Sequence, residues 1–546
     1  MKSNRRIILG AVLVFIAHQG MAQRQQSGDI QDAEIVIEKD RQIELNKEVK
    51  LYEFIKWQPK PQQYQTVDPG EFEVFEYDLA DEPEVIASTI TTVAKKESEY
   101  HQYLKAGLGN YWSPLIDLSL VSPGDPNQSV GLNYKHLSFK TGEVDGDNSA
   151  SALNEISVYG TKVWQRVKTT GVVSYKSDEN YLYGYTDGTV VNREDIRKSN
   201  KFVSAKVEME DNNLTDVWNY NLNAGYRGFF DNYDNAENTL DVDGLISNSN
   251  KIFLEAQFNL SNYNQATPSA RSHLRAKPYY SFEYSGFKID AGLSVNMQSD
   301  KVANLKQFKV FPYLATTYDL TDEYEVFAKL DAGYDFNTLY DFSDKVPYLN
   351  PDNTVANTEK TVDITAGVRG DITENWYSSV QVGYQGIRNL PMYVNSAIDQ
   401  SLIDLTYDKD VTNLFTVGLT TEYEINKKHQ VELGFTYYNY SGGDISQAYH
   451  LPATDLSVRG EHLFVDKLTF QWQYSLLAGI TAYDAINDSD VDLSAISRLD
   501  LSVHYQIKER LGAFISSDNT IGKAYSRYLY YPQRGLQIKA GVTFRF

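Results

Sequence analysis

The chain has 546 residues, no cysteine, 41 tyrosines and a mean hydropathy of -0.45. Without cysteine there is no disulfide framework, lipid-anchored thiol, thiolate zinc site or thiol nucleophile, and no second apolar segment is long enough for a helical membrane protein. A β-barrel remains open, because polar lumen residues dilute each strand's apolar face, and a formal charge of -22 disfavours nucleic acid, whose phosphates need Lys and Arg.

Lys2, Arg5 and Arg6 precede an apolar run from Ile7 to Ala17, and Gly20-Met21-Ala22 supplies a small-residue cleavage site. Residues 1–22 therefore read as a signal peptide for Sec export, cut before Gln23. The run is about half of the ~20 residues needed to cross a bilayer as a helix. Residues 23–99 read as an extended periplasmic segment. In it, short apolar islands such as Glu34-Ile35-Val36-Ile37 sit amid charge, Pro59, Pro61 and Pro69 interrupt, and Glu71 to Asp78 alternates acidic with apolar residues. Such a segment is marginal as an independent domain.

Residues 100–546 are a succession of alternating runs. Tyr324, Val326, Ala328, Leu330, Ala332 and Tyr334 alternate with Glu325, Phe327, Lys329, Asp331, Gly333 and Asp335, and the runs around Val362–Arg369, Phe415–Ile425 and Val431–Tyr437 do the same. Successive side chains of a strand point to opposite faces, so each run has one apolar and one polar surface. Connections alternate between short turns (320–323, 371–375, 425–428, 284–286, 507–510) and long polar loops (178–198, 338–359, 390–411, 441–453, 519–534). The pattern predicts an all-β fold, a large antiparallel transmembrane β-barrel of 18–22 strands, even in number, with short turns in the periplasm and long loops outside. A short first hairpin (Tyr103–Gly109 with Leu115–Val121) and a weak run (Thr239–Leu245) complete the count. Tyr318, Tyr324, Trp376, Tyr377, Tyr423 and Tyr440, near strand ends, suit interfacial girdles.

The last strand carries Leu536, Ile538, Ala540, Val542, Phe544 and Phe546 on one face. Its Phe544-Arg545-Phe546 ending resembles the C-terminal strand of bacterial outer-membrane barrels, which implies that Val542, Phe544 and Phe546 belong to the signal read by the barrel-assembly machinery. Glu34 to Leu45 resembles a segment of Bacteroidota outer-membrane barrels related to TonB-dependent receptors, and Glu34-Ile35-Val36-Ile37 resembles a TonB box. The resemblance implies a docking strand for a periplasmic protein, added to a sheet edge. The chain departs from that family in having no recognisable plug domain before its first strand.

Little argues for catalysis. The histidines are scattered, no nucleotide-binding fingerprint is present, and no metal or other cofactor is implied. Asp488, Asp490 and Asp492 read as a solvated acidic loop rather than a calcium site. The lumen-side charges Glu325, Lys329, Asp331, Asp363, Arg369, Glu422, Glu424 and Lys539 mix both signs, and either line a pore or form a network that closes it. The leading reading is a non-enzymatic subunit of an outer-membrane complex for secretion, nutrient uptake or barrel assembly, binding outer-membrane or periplasmic protein partners through the N-terminal arm and sitting in outer-membrane lipid. The alternative is a porin or TonB-dependent-receptor-like channel for solute uptake, and an outer-membrane hydrolase ranks third.

Overall fold

The computed structural model describes residues 101–546 apart from short stretches at 123–124, 126, 143–145, 186–188, 190, 212–216, 265–268, 303, 445–446, 466 and 523–524. The signal peptide, the extended segment and the Glu34-Ile35-Val36-Ile37 motif expected from sequence lie outside the described residues.

Hydrogen bonds join 23 strands into one antiparallel sheet, and the first, Gln102–Gly109, pairs with the last, Gln537–Arg545, so that the sheet closes on itself. Tyr324–Asp331 and Gly333–Asp335 both pair with Thr358–Thr373 and are two pieces of one strand, interrupted at Ala332, so the ring has 22 members. A closed ring leaves no unpaired backbone edge, which is the condition for a sheet to sit in hydrocarbon.

The alternation of each strand sorts its side chains. Val130, Ile156, Val158, Val173, Leu293 and Ile515 stand on the outer face and are exposed. The inner face is polar. Lys105, Asp117, Lys135, Glu155 and Lys176 occupy directly opposed positions on the first five strands, so that charge alternates in sign from strand to strand. An exposed apolar band of this extent requires lipid around it, and the polar interior requires water or paired charge.

All the short turns expected from sequence lie at one end of the barrel, the turn end, and the weak run Thr239–Leu245 lies within the strand Ala236–Asn248. The other end, the loop end, carries the connections 182–196, 336–357, 443–453, 479–495 and 519–536. One expected loop is not a loop. Trp376–Asn395 and Ile403–Asn426 stay paired as far as Asn395 opposite Ile403, so 390–411 is mostly an extension of a hairpin beyond the wall. A register shift after Arg388, with Asn389 at φ 57°, re-aims this extension, and its Met392, Tyr393 and Ile403 are buried against other loops.

The aromatic girdle also needs correction. Tyr318, Tyr324, Trp376 and Tyr423 share the outer face at the turn end, with the Trp376 and Tyr423 rings 5.7 Å apart. Tyr377 stands opposite Glu422 and Tyr440 opposite Leu414, which places both on the inner face. Trp376 and Tyr377 are neighbours on one strand and cannot share a face.

Candidate functional site

The lumen-side charges pair along the wall in separate groups. Arg369 stands opposite Glu325 and donates to it from Nε at 2.7 Å. Asp331 accepts from Arg275 and from Lys277 at 3.1 Å, with Lys329 at 3.4 Å. Gln385 donates to Asp363 at 3.2 Å, and Lys539 pairs with Asp518. Glu422 faces Glu432, whose carboxylate receives Arg459 Nε at 2.8 Å. Glu424 is exposed on the turn-end rim. These pairs join strands of the same region of the wall, and what crosses the interior is a loop.

That loop, 336–357, carries the helix α1 (Leu339–Lys345). Thr338 caps it by accepting the Asp341 N–H at 3.1 Å, which leaves Asp341 in the first turn and Asp344 one turn on. Asp341 accepts from Arg227 and Asp344 from Lys176, each at 2.5 Å. Lys176 stands on the fifth strand of the ring, whereas the loop leaves the thirteenth. Opposite walls of a 22-strand ring are eleven strands apart, so the loop spans the mouth. Two more wall residues hold it. Glu237, on the eighth strand, accepts the Tyr340 N–H at 2.8 Å, and Arg271, on the tenth, donates to the Asn337 carbonyl at 2.8 Å and to Asn357 at 3.0 Å. Glu237 and Arg271 are both buried and 3.8 Å apart, so each offsets the other's desolvation.

Above the ion pairs lies an apolar core made of loops. Leu339, Phe342, Val346, Tyr348 and Leu349 of the crossing loop pack with Tyr183 of 182–196, Tyr393 and Ile403 of the extended hairpin, and Tyr528 and Tyr531 of 519–536. Tyr183 and Tyr531 meet edge to face at 5.0 Å, Tyr531 donates to the Ser401 carbonyl, and Tyr183 donates to the Pro532 carbonyl at 3.0 Å. Burial holds the Tyr183 and Tyr531 hydroxyls well above the usual tyrosine range, so they act as neutral donors. Loops bury such a core only when they pack on one another, and together they form a cap over the lumen.

His450 locks two parts of the cap. Its Nδ1 lies 2.6 Å from the Tyr393 carbonyl and must donate, which leaves Nε2 to accept the Leu529 N–H at 3.3 Å. Arg527 donates to the His450 carbonyl at 2.7 Å. Burial pushes the imidazole down to about 3, with the nearby Arg527 charge adding to the effect, so the ring stays neutral. Beside the cap, Asp488, Asp490 and Asp492 accept from Tyr483 at 2.5 Å, Tyr449 at 2.9 Å and Thr481 at 2.9 Å, so the acids of the hairpin Ile480–Leu493 serve two of its own hydroxyls and one from the loop 443–453.

Sequence reasoning missed Lys176, Arg227, Glu237 and Arg271, the wall residues that hold the crossing loop. All four occupy polar positions of alternating strands, and period two alone would have placed them on the inner face. It also treated the histidines as scattered. His429 and His462 stand opposite one another on the outer face at the turn end, with their Nδ1 atoms 3.3 Å apart, and Trp472 donates to His462 Nε2 at 3.0 Å.

No protein-family model and no curated protein matches the chain. Solved structures do. The siderophore receptor PirA from Acinetobacter baumannii is 9% identical with a TM-score of 0.61, the match covering 83% of this chain and 81% of that one. The FrpB iron transporter from Neisseria meningitidis is 8% identical with a TM-score of 0.61, covering 83% of each chain. The ferric enterobactin receptor PfeA from Pseudomonas aeruginosa is 10% identical with a TM-score of 0.58, covering 82% of this chain and 80% of that one. At such identity the likeness is one of fold. It gives this chain the fold of these receptor barrels, a closed antiparallel β-barrel of 22 strands.

Proposed function

We propose that the protein is an outer-membrane receptor-channel for solute uptake, in which the loop-end cap is the closed state of the entry. The observation that carries this reading is a 22-strand barrel of the siderophore-receptor architecture whose loop end is crossed by its own loops, packed on one another. A ring of this size without an obstruction would pass small solutes freely, and the cap supplies one. The cap is held by ion pairs and tyrosine contacts between separate loops, so a ligand that binds those loops from outside can shift them to an open arrangement.

The folds that this chain resembles are those of uptake receptors and a transporter, which favours uptake over the complex-subunit role and over hydrolysis. Iron chelates of the siderophore class are the first solutes to test. In this reading, Glu34-Ile35-Val36-Ile37 docks a periplasmic energy-coupling protein by strand addition, and Glu325, Lys329, Asp331, Arg369, Glu422 and Glu424 belong to the water-facing path below the cap.

The test compares uptake of a labelled iron–siderophore complex by cells with the protein, cells without it, and cells carrying a deletion of Glu34 to Ile37. Uptake that needs both the protein and the motif is the expected result. Equal uptake in all three overturns the siderophore assignment. In planar bilayers, wild type should conduct little and an Asp341→Ala/Asp344→Ala variant measurably more. A variant as silent as wild type overturns the view that the cap closes the entry.

A further inference from the structure

We propose that the acidic stretch 68–84 of the N-terminal arm docks on a basic arc of the barrel's own rim at the turn end. The arc is carried by the turns 425–428, 464–467 and 507–510, and its role is independent of the transport reading.

A chain of backbone hydrogen bonds sets out the rim in order. The Asp371 N–H donates to the Glu323 carbonyl at 3.0 Å and the Glu424 N–H to the Asn375 carbonyl at 2.9 Å, so the turns 320–323, 371–375 and 425–428 are neighbours. The Leu463 N–H donates to the Lys428 carbonyl at 2.7 Å, the Gln506 N–H to that of Lys467 at 2.7 Å and the Arg545 N–H to that of Arg510 at 2.9 Å, which continues the order to the last strand. The Phe546 N–H then meets the Gln102 carbonyl at 3.1 Å, where the first strand begins. The arm therefore joins the barrel close beside the turn 507–510.

Charge divides this rim in two. Asp322, Glu323, Asp371 and Glu374 are exposed on the turns 320–323 and 371–375, which hold no Lys or Arg. Lys427, Lys428, Lys467, Lys508 and Arg510 are exposed on the three turns that follow, and Arg545 stands next on the last strand. Asp466, Glu509 and the terminal carboxylate are the acids set among them, so the arc keeps an excess of cations on a chain of formal charge -22.

The arm carries the opposite charge. Residues 61–94 hold no Lys or Arg, and eight acids lie between Asp68 and Glu84. Seventeen residues, 85–101, lead from this stretch to the first strand. A coil of that length spans about 23 Å on average and about 58 Å at most. The far end of the arc, at the strand His429–Gly442, is six strand spacings from the first strand, about 29 Å measured across the strands. The whole arc is thus within reach. The acidic turns are reachable too when the tether is extended, so charge rather than length makes the choice. Each exposed ion pair is weak on its own, but several act together here on a segment that its tether already holds at high local concentration.

The chain has no cysteine, so introduced pairs report the contact without interference. The test purifies the full chain in mild detergent and compares the rate of disulfide formation in two variants. One joins Val74→Cys with Val465→Cys, exposed on the basic arc, and the other joins Val74→Cys with Thr373→Cys, exposed on an acidic turn. Neither pair changes a charge. The Val465 pair should close about tenfold faster or more at low salt, as several exposed ion pairs together allow. The advantage should vanish near 1 M salt, where the Debye length is about 3 Å, and in a Lys427→Glu/Lys467→Glu/Lys508→Glu background. Heat-modifiable mobility on a gel reports that this background has folded. Should it not fold, Glu73→Gln/Glu76→Gln/Asp78→Asn removes charge from the arm without touching the barrel and is expected to have the same effect. Equal rates for the two pairs, or an advantage that survives salt and charge removal, overturns the proposal. An advantage present in detergent but lost in vesicles containing phosphatidylglycerol also overturns it, and assigns the arc to lipid phosphate.

Discussion

Tyr348 and Tyr531 stack face to face, with centroids 3.7 Å apart and 15° between their planes, although they come from loops on different parts of the ring. Tyr531 is fully buried between Tyr348 and Tyr183. Replacing Tyr531 by alanine removes an aromatic ring from a packed core, at a cost of about 3–5 kcal/mol. The barrel's own hydrogen bonds are untouched, so the cap should open while the barrel persists. Limited proteolysis should cut within 336–357 and 519–536, and the protected barrel fragment should keep its heat-modifiable mobility.

Asp344 and Lys176 form a contact between the crossing loop and a distant strand, and both are partly exposed, with 40% and 24% of their side chains accessible. Solvent screening limits such a pair to about 1 kcal/mol or less. Asp344→Asn alone should raise single-channel opening slightly, and Asp341→Asn with Asp344→Asn more, because Arg227 and Lys176 then both lose their ion pairs with the helix. A double-mutant cycle of Asp344→Asn with Lys176→Met, read from the fraction of open time, isolates the pair.

Acid should loosen the cap. His450 is neutral in the folded cap because burial holds it down to about 3, whereas a released loop titrates near the ordinary value of about 6.5. The released state thus binds more protons below that value. Cap stability is full above about pH 6.5 and falls by up to ~1.4 kcal/mol per unit between there and about pH 3. Conductance or protease sensitivity should rise on acidification over this window. His450 has φ 57°, which asparagine tolerates better than most residues, and an asparagine amide can both donate and accept, so His450→Asn should flatten the dependence.

Phe546 lies just beyond the last strand, where its N–H donates to the Gln102 carbonyl at 3.1 Å and its ring stacks on Phe544 at 5.5 Å. The ring is 43% exposed on the outer face, so Phe546→Ala should change the denaturation midpoint of the folded barrel little. If Val542, Phe544 and Phe546 are read during insertion, the same change should lower the amount of folded protein in the outer membrane several-fold. Quantifying the heat-modifiable band in isolated membranes separates the two effects.

Most of the wall was legible because period two is a local signal. The strand at Ala236–Asn248 was visible from Thr239–Leu245 and from the need for an even count, and the five short turns named from sequence all lie at the turn end. The hairpin extension at 390–411 was misread because Pro391, Asn395, Asp404 and Asp408 are residues of turns and loops, yet tertiary packing of Met392, Tyr393 and Ile403 keeps the strands paired. The cap was not legible at all. Contacts such as Tyr348 with Tyr531 or Asp344 with Lys176 depend on which loops the ring brings face to face, and no local pattern encodes that. Tyr377 was a different kind of error, since its neighbour Trp376 already occupied the outer face.

The cap draws on loops from the fifth strand's end to the last strand's beginning, and its final contributor, 519–536, leads directly into the strand that closes the ring. Closure of the ring and completion of the cap thus share one hairpin, because the loop that supplies Tyr528 and Tyr531 also delivers the closing strand. Removing everything from Tyr528 onward would take away Tyr528, Tyr531 and the strand that closes the ring together, so the seam and a part of the lid are lost in one cut.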